Sequence, residues 1–146
     1  MRVSDVLKSN QQTLATCIPE ESIVSICTRL SALNIGAFPV CDAHGTLVGI
    51  ISERDVVRAF AKDGARLADR HVRDLMTREV VTCALDQTML EAEKLMHKHR
   101  VRHIPVVDGA KLVGMLSIRD IFVWRWQETR DEVNVLRDAM IAVRNR

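Results

Sequence analysis

Two hydrophobic periods alternate along this chain. The short runs Thr16-Cys17-Ile18, Phe38-Pro39-Val40 and Leu47 to Ile51 have the length and β-branched character of strands. Between the first two, Ile23, Ile26, Leu30 and Leu33 recur at helical spacing behind Ser22, a residue type that favours the N-cap. Pro19 closes the first run, and the turn Asp42-Ala43-His44-Gly45 joins the other two into a hairpin. Ser52 ends the last strand and opens a helix whose first-turn acids, Glu53 and Asp55, suit the positive end of the helix dipole. The pattern predicts a β-α-β-β-α unit.

The unit occurs twice. At a shift of 66 residues Thr16-Cys17 falls on Thr82-Cys83, and Phe38-Pro39-Val40-Cys41-Asp42 falls on Ile104-Pro105-Val106-Val107-Asp108. One residue is lost in the turn, and at a shift of 65 Leu47 to Asp55 falls on Leu112 to Asp120. Aligning 16–42 and 46–58 with their partners gives eleven identical pairs in forty. In the second copy the run Val80 to Ala84 reads as a strand, Asp86 or Thr88 as the helix N-cap, and Met89, Ala92, Leu95 and Met96 as the helix's apolar face. A short helix, Val3 to Lys8, leads into copy one, and another, His71 to Met76, into copy two, after a polar linker that begins at Lys62.

A lone unit would bury one sheet face under its helices and leave the other exposed, so two units are expected to pack through their sheets about a pseudo-twofold axis. The expected fold class is α+β, with repeats over 1–65 and 66–125. Past Asp120 the helical pattern continues through Trp124 and Trp126, and Val133, Leu136, Met140 and Val143 follow at spacings of three and four. That seam exceeds what one repeat needs to cover its sheet, so 126–146 is read as an extension. It either folds back on its own module or pairs with a second subunit, and a homodimer is the preferred reading.

Composition narrows the function. The chain has 146 residues, 47% hydrophobic and 27% charged with a net charge of +2, enough apolar material for one compact core or two packed halves. No apolar run approaches the ~18 residues of a membrane span, and the start of the chain does not read as a signal peptide, so a cytoplasmic location is the default expectation. Cys17, Cys27, Cys41 and Cys83 stand singly in apolar stretches, as small buried hydrophobes rather than metal ligands or disulfide partners. With three Phe, two Trp, no Tyr and weak basicity, a nucleic-acid partner is not expected. His97 and His99, two apart on a helix, point to different faces and do not form a metal pair with His103. No nucleophile and base pair or phosphate-cradling Gly loop is visible, so no enzyme activity is expected.

Both copies end in hydrophobic-Gly-hydrophobic-hydrophobic-Ser-x-Arg-Asp, preceded by a hydrophobic-Pro-Val-hydrophobic-Asp strand. Over residues 1–125 this resembles the tandem CBS-domain pair, or Bateman module. The resemblance implies a regulatory sensor that needs no cofactor and binds an adenosine-containing ligand (AMP, ADP, ATP, NAD or S-adenosylmethionine) in clefts between the repeats. It also implies an effector protein. On this resemblance Asp55 and Asp120, with Ser52 and Ser117 three residues earlier, would read the ribose, since a carboxylate accepts charge-assisted bonds from two vicinal hydroxyls. The adjacent helix N-termini would offer N–H groups to a phosphate. The adenine at the Asp55 site would contact Cys83, Ala84 and Val101, and its phosphates Arg102, His103 and Arg119. The Asp120 site would use Cys17, Ile18, Ile35 and Arg54, and Gly36-Ala37 stands there where the other site has Arg102-His103, so phosphate affinity is expected to differ. The plainer alternatives are that Asp55 and Asp120 are helix-start acids, that Arg54 and Arg119 are solvated charges, and that the chain is a ligand-free dimeric scaffold.

Overall fold

The computed structural model describes residues 1–10 and 14–144. Its elements run α1 (Val3–Asn10), α2 (Ile23–Leu33), β1 (Ala37–Cys41), β2 (Leu47–Ser52), α3 (Glu53–Asp63), α4 (Val72–Leu75), β3 (Cys83–Ala84), α5 (Met89–His99), β4 (His103–Asp108), β5 (Lys111–Ser117) and α6 (Ile118–Arg144). A 3-10 turn, Gly64–Asp69, occupies the expected linker and buries Leu67. Ser22 and Thr88 cap α2 and α5 by accepting from Ser25 N and Glu91 N. Thr88, not Asp86, is thus the second N-cap.

The fold is α+β, and the two copies repeat one another in register. β1 and β2 pair antiparallel, as do β4 and β5, and each hairpin shifts register at one place, Val40/Cys41 in the first and Val106/Val107 in the second. The strand expected before α2 shrinks to one parallel bridge, Cys17 to Val40, and its counterpart to the two residues of β3 beside Val106 and Val107. Proline explains the shortening. Cys17 N donates to Pro39 O and accepts, at its own carbonyl, from Cys41 N. The next rung toward the N-terminus needs an N–H from Pro39, which has none, and Pro105 imposes the same limit on the second copy.

The pseudo-twofold axis passes between the hairpin turns. Leu47 N donates to Ala110 O at 3.2 Å, and the aligned Leu112 N donates to Gly45 O at 3.4 Å. Between those bonds Thr46 bridges Lys111, its own counterpart in the alignment.

The core divides in two, and neither part follows chain order. Ile23, Ile26, Leu30, Phe38, Val40 and Ile51 of the first copy pack with Leu67 and Val72, from beyond the boundary expected at residue 65. Met89, Ala92, Met96, Ile104, Val106, Leu116, Ile121 and Trp124 of the second pack with Val3 and Val6 of α1. Matching backbone bridges, Arg2 to Thr88 and His71 to Ser22, dock each lead helix on the opposite copy. In α6 only Ile121 and Trp124 are buried, and everything beyond Trp124 is exposed.

Candidate functional site

The two Ser-x-x-Asp segments form the same local structure. Ser52 leaves β2 in an extended conformation and caps α3: its Oγ accepts from Asp55 N at 3.3 Å, while Asp55 Oδ2 accepts from Ser52 N at 2.8 Å and from the Ser52 hydroxyl at 2.9 Å. At the start of α6, Asp120 Oδ2 accepts from Ser117 N and from the Ser117 hydroxyl, both at 2.7 Å. These reciprocal caps fix each carboxylate where a strand ends and a helix begins. They also occupy donors expected to be free for phosphate. Glu53 N donates to Gly36 O, as Ile118 N does to Arg102 O. With Asp55 N turned to Ser52 Oγ, little of either helix N-terminus is left open, so an anion there must be met mainly by side chains.

A cavity of about 550 Å3 opens beside Asp55, between the copies. Ser52, Glu53, Arg54, Asp55 and Arg58 form one side, and Val101, Arg102 and His103 face them from the start of β4. Thr77, Glu79, Val80, Val81, His99, Arg100, Ile50, Gly36 and Ala37 complete it. A second cavity of about 330 Å3 opens beside Asp120, where Ser117, Ile118, Arg119 and Asp120 face Asn34, Ile35, Gly36 and Ala37. Leu7, Asn10, Leu14, Ala15, Pro39, Val113, Gly114, Met115 and His103 line the rest.

Most of the residues singled out from sequence gather at these two cavities, with three displacements. Arg54 lies at the Asp55 cavity and Arg119 at the Asp120 cavity, each beside its own carboxylate rather than across the axis. Cys83 and Ala84 do not line the Asp55 cavity; Val80 and Val81 stand there, because the missing Pro105 N–H releases them from the sheet. Cys17 and Ile18 likewise give way to Leu14 and Ala15 at the second cavity. Ile18 is exposed, while Cys17 and Cys83 belong to the two cores, where burial pushes their thiols up to about 12 and about 11. Such thiols are packing groups rather than nucleophiles.

Sequence reasoning missed Arg58, Glu79, His99 and Arg100. Arg58 is one helical turn beyond Arg54, a spacing that places both on one face. His99 and Arg100, read from sequence as a solvated helix end, border the larger cavity, and Arg100 ends α5 in the left-handed conformation at φ 53°.

His103 and the Gly36-Ala37 segment line both cavities. A Cβ added to Gly36 would stand 3.0 Å from His103 Cε1, so the missing side chain is what lets the imidazole lie between the two sites. Burial pushes the His103 imidazole below its ordinary range; Glu53 and Asp120 oppose that shift, and Arg102 adds to it. No group of three or more metal-ligating side chains occurs among the described residues, and none of their helices is long and apolar enough to cross a membrane.

The family model for the CBS domain matches this chain twice, over residues 3–62 and 72–126. The mitochondrial CBS domain-containing protein CBSX3 of Arabidopsis thaliana is 31% identical over 142 residues, covering 92% of this chain and 69% of that protein. The crystal structure of the CBS-domain containing protein ATU1752 from Agrobacterium tumefaciens superposes with a TM-score of 0.81 at 36% identity, over 86% of this chain and 99% of that one. The CBS domain pair of protein MJ0100, solved in complex with 5′-methylthioadenosine and S-adenosyl-L-methionine, gives a TM-score of 0.74 at 27% identity over 88% and 98% of the two chains. With both copies matched and the paired architecture shared, the chain belongs to the CBS-domain family and carries two CBS domains in tandem.

Proposed function

We propose that this protein is a regulatory module that binds an adenosine-containing small molecule in the clefts between its repeats and is not itself a catalyst. The observation that carries this reading is the duplicated carboxylate: Asp55 and Asp120 are each fixed by a serine cap at the edge of a cavity between the copies. Asp55, whose cap uses only Oδ2, keeps Oδ1 for a sugar hydroxyl, and Asp120 can accept in the same way once the Asn10 amide gives way. The adenosine ligands of the similar MJ0100 pair support the same class here. A signal requires that the ligand favour one arrangement of the module over another.

The module works as a homodimer joined through α6. Val133, Leu136, Met140 and Val143 are exposed along this helix, with Met140 at 72% and Val143 at 75%. Their spacings of three and four make a seam that a second copy of the same helix covers knob into hole.

A melting-temperature screen against AMP, ATP, NAD and S-adenosylmethionine tests the reading, because a ligand that binds only the folded state raises the melting point. At least one adenosine compound is expected to stabilise the protein, with the effect lost in Asp55→Ala or Asp120→Ala. No stabilisation by any of the four, or stabilisation unchanged in both variants, overturns it.

A further inference from the structure

The pseudo-twofold axis does not make the two cavities equal. It exchanges Arg58, Arg100 and Arg102 of the larger cavity for Val123, Asn34 and Gly36. Only Arg54 keeps a guanidinium partner, Arg119, which lines the smaller cavity. The ion pairs among the described residues engage Arg29, Arg70 and Arg125, so among those residues no carboxylate lies within 4.0 Å of the four arginines around the larger cavity. Glu53, Asp55 and Glu79 share that wall, so the four guanidinium groups leave the larger cavity with a small excess of positive charge, whereas Arg119 and Asp120 balance in the smaller one, and an anionic ligand in the larger cavity gains charge-assisted bonds.

The smaller cavity is built otherwise. Glu53 is replaced there by Ile118, and Leu7, Leu14, Val113 and Met115 supply much of the remaining wall. A phosphate chain placed among them would lose its hydration and gain one guanidinium in return. Its carboxylate also differs. Asp120 Oδ1 accepts from Asn10 Nδ2 at 2.8 Å, whereas no bond to Asp55 Oδ1 is found among the described residues. The amide of α1 thus stands on the acceptor that a sugar hydroxyl would use, one N–H in place of one O–H.

Resting on the adenosine reading above, we infer that the two cavities take different classes of ligand: the larger an adenosine polyphosphate, the smaller an adenosine derivative whose 5′ substituent is uncharged and whose ribose displaces the Asn10 amide from Asp120. The two ligands then occupy the module together rather than competing.

Isothermal titration with ATP and with 5′-methylthioadenosine, singly and each in the presence of the other, tests this on the full chain. Arg58→Ala and Arg102→Ala change exposed side chains, so both variants are expected to fold. They weaken ATP by about tenfold or more and leave 5′-methylthioadenosine unchanged. Asp120→Ala, checked for folding by its circular-dichroism melt, does the reverse, and so does Asp120→Asn if the alanine variant fails to fold. Mutual competition, or arginine variants that weaken both ligands alike or neither, overturns the division of classes while leaving the adenosine reading intact. If neither compound binds, the division fails, and the adenosine reading is decided by the melting-temperature screen.

Discussion

Gly114 lies against Leu7: a Cβ built on Gly114 would stand 2.5 Å from Leu7 Cδ1 and 3.0 Å from Cδ2. The aligned Gly49 meets Met76 in the same way, at 2.8 Å from Sδ, with Thr77 O at 3.0 Å. Leu7 and Met76 occupy matching places just after the lead-helix residues Val6 and Leu75. The glycine of each repeat is therefore the seat of a helix that comes from elsewhere in the chain. Gly114→Ala is expected to destabilise the protein by about 1–3 kcal/mol through overpacking. Leu7→Ala in the same chain should recover part of that loss, which denaturant midpoints of the two single variants and the double variant measure as a coupling energy.

The serine caps serve folding and the ligand by the same atoms, and the two roles separate experimentally. Removing either carboxylate, by Asp55→Ala or Asp120→Ala, frees a backbone N–H at a helix start and should cost about 1 kcal/mol in chemical denaturation without ligand. Asn10→Ala touches neither cap. It should leave unfolding nearly unchanged and tighten 5′-methylthioadenosine severalfold in titration, because Asp120 Oδ1 no longer has to exchange a partner.

Acidification should act through His103. Its pKa is held below the ordinary 6.5 in the folded state, so the unfolded chain binds the proton more readily. The stability tied to the neutral imidazole is present above pH 6.5 and is lost as the pH falls from there through the folded value. Melting temperatures across this window are expected to decline on acidification, and less so for His103→Gln. A polyphosphate beside His103 opposes the shift, so ATP binding takes up a proton and tightens as the pH falls; titrations in buffers of different ionisation enthalpy would detect that uptake.

The seam on α6 predicts self-association. Sedimentation should find dimers for the full chain and monomers for the double variant Leu136→Glu, Met140→Glu, with no change in thermal stability beyond the dimer's own contribution.

Much of the fold was legible in the sequence because each copy states its pattern twice: Ser22, Ser52 and Thr88 cap helices, and the paired hairpins follow from 38–51 and 104–116. The first strand of each copy misled, because its hydrophobic pattern carries no record of which rung Pro39 or Pro105 will deny it. The same effect moved the cavity walls from Cys17 and Cys83 to Ala15 and Val81. Arg54 borders the Asp55 cavity and Arg119 the Asp120 cavity, a placement that depends on the positions of whole helices, which no local spacing encodes. The Asn10 amide on Asp120 lies 110 residues from its partner and left no local signal.

Val3 is sealed into the second core and Val72 into the first. Cutting the peptide between the repeats would leave two fragments, each stripped of a wall that the other carries. Such fragments should stay unstructured when purified alone and regain their shape on mixing. By the same logic, melting of the intact chain proceeds in one step, and strain set up at either cleft is handed directly to the opposite half.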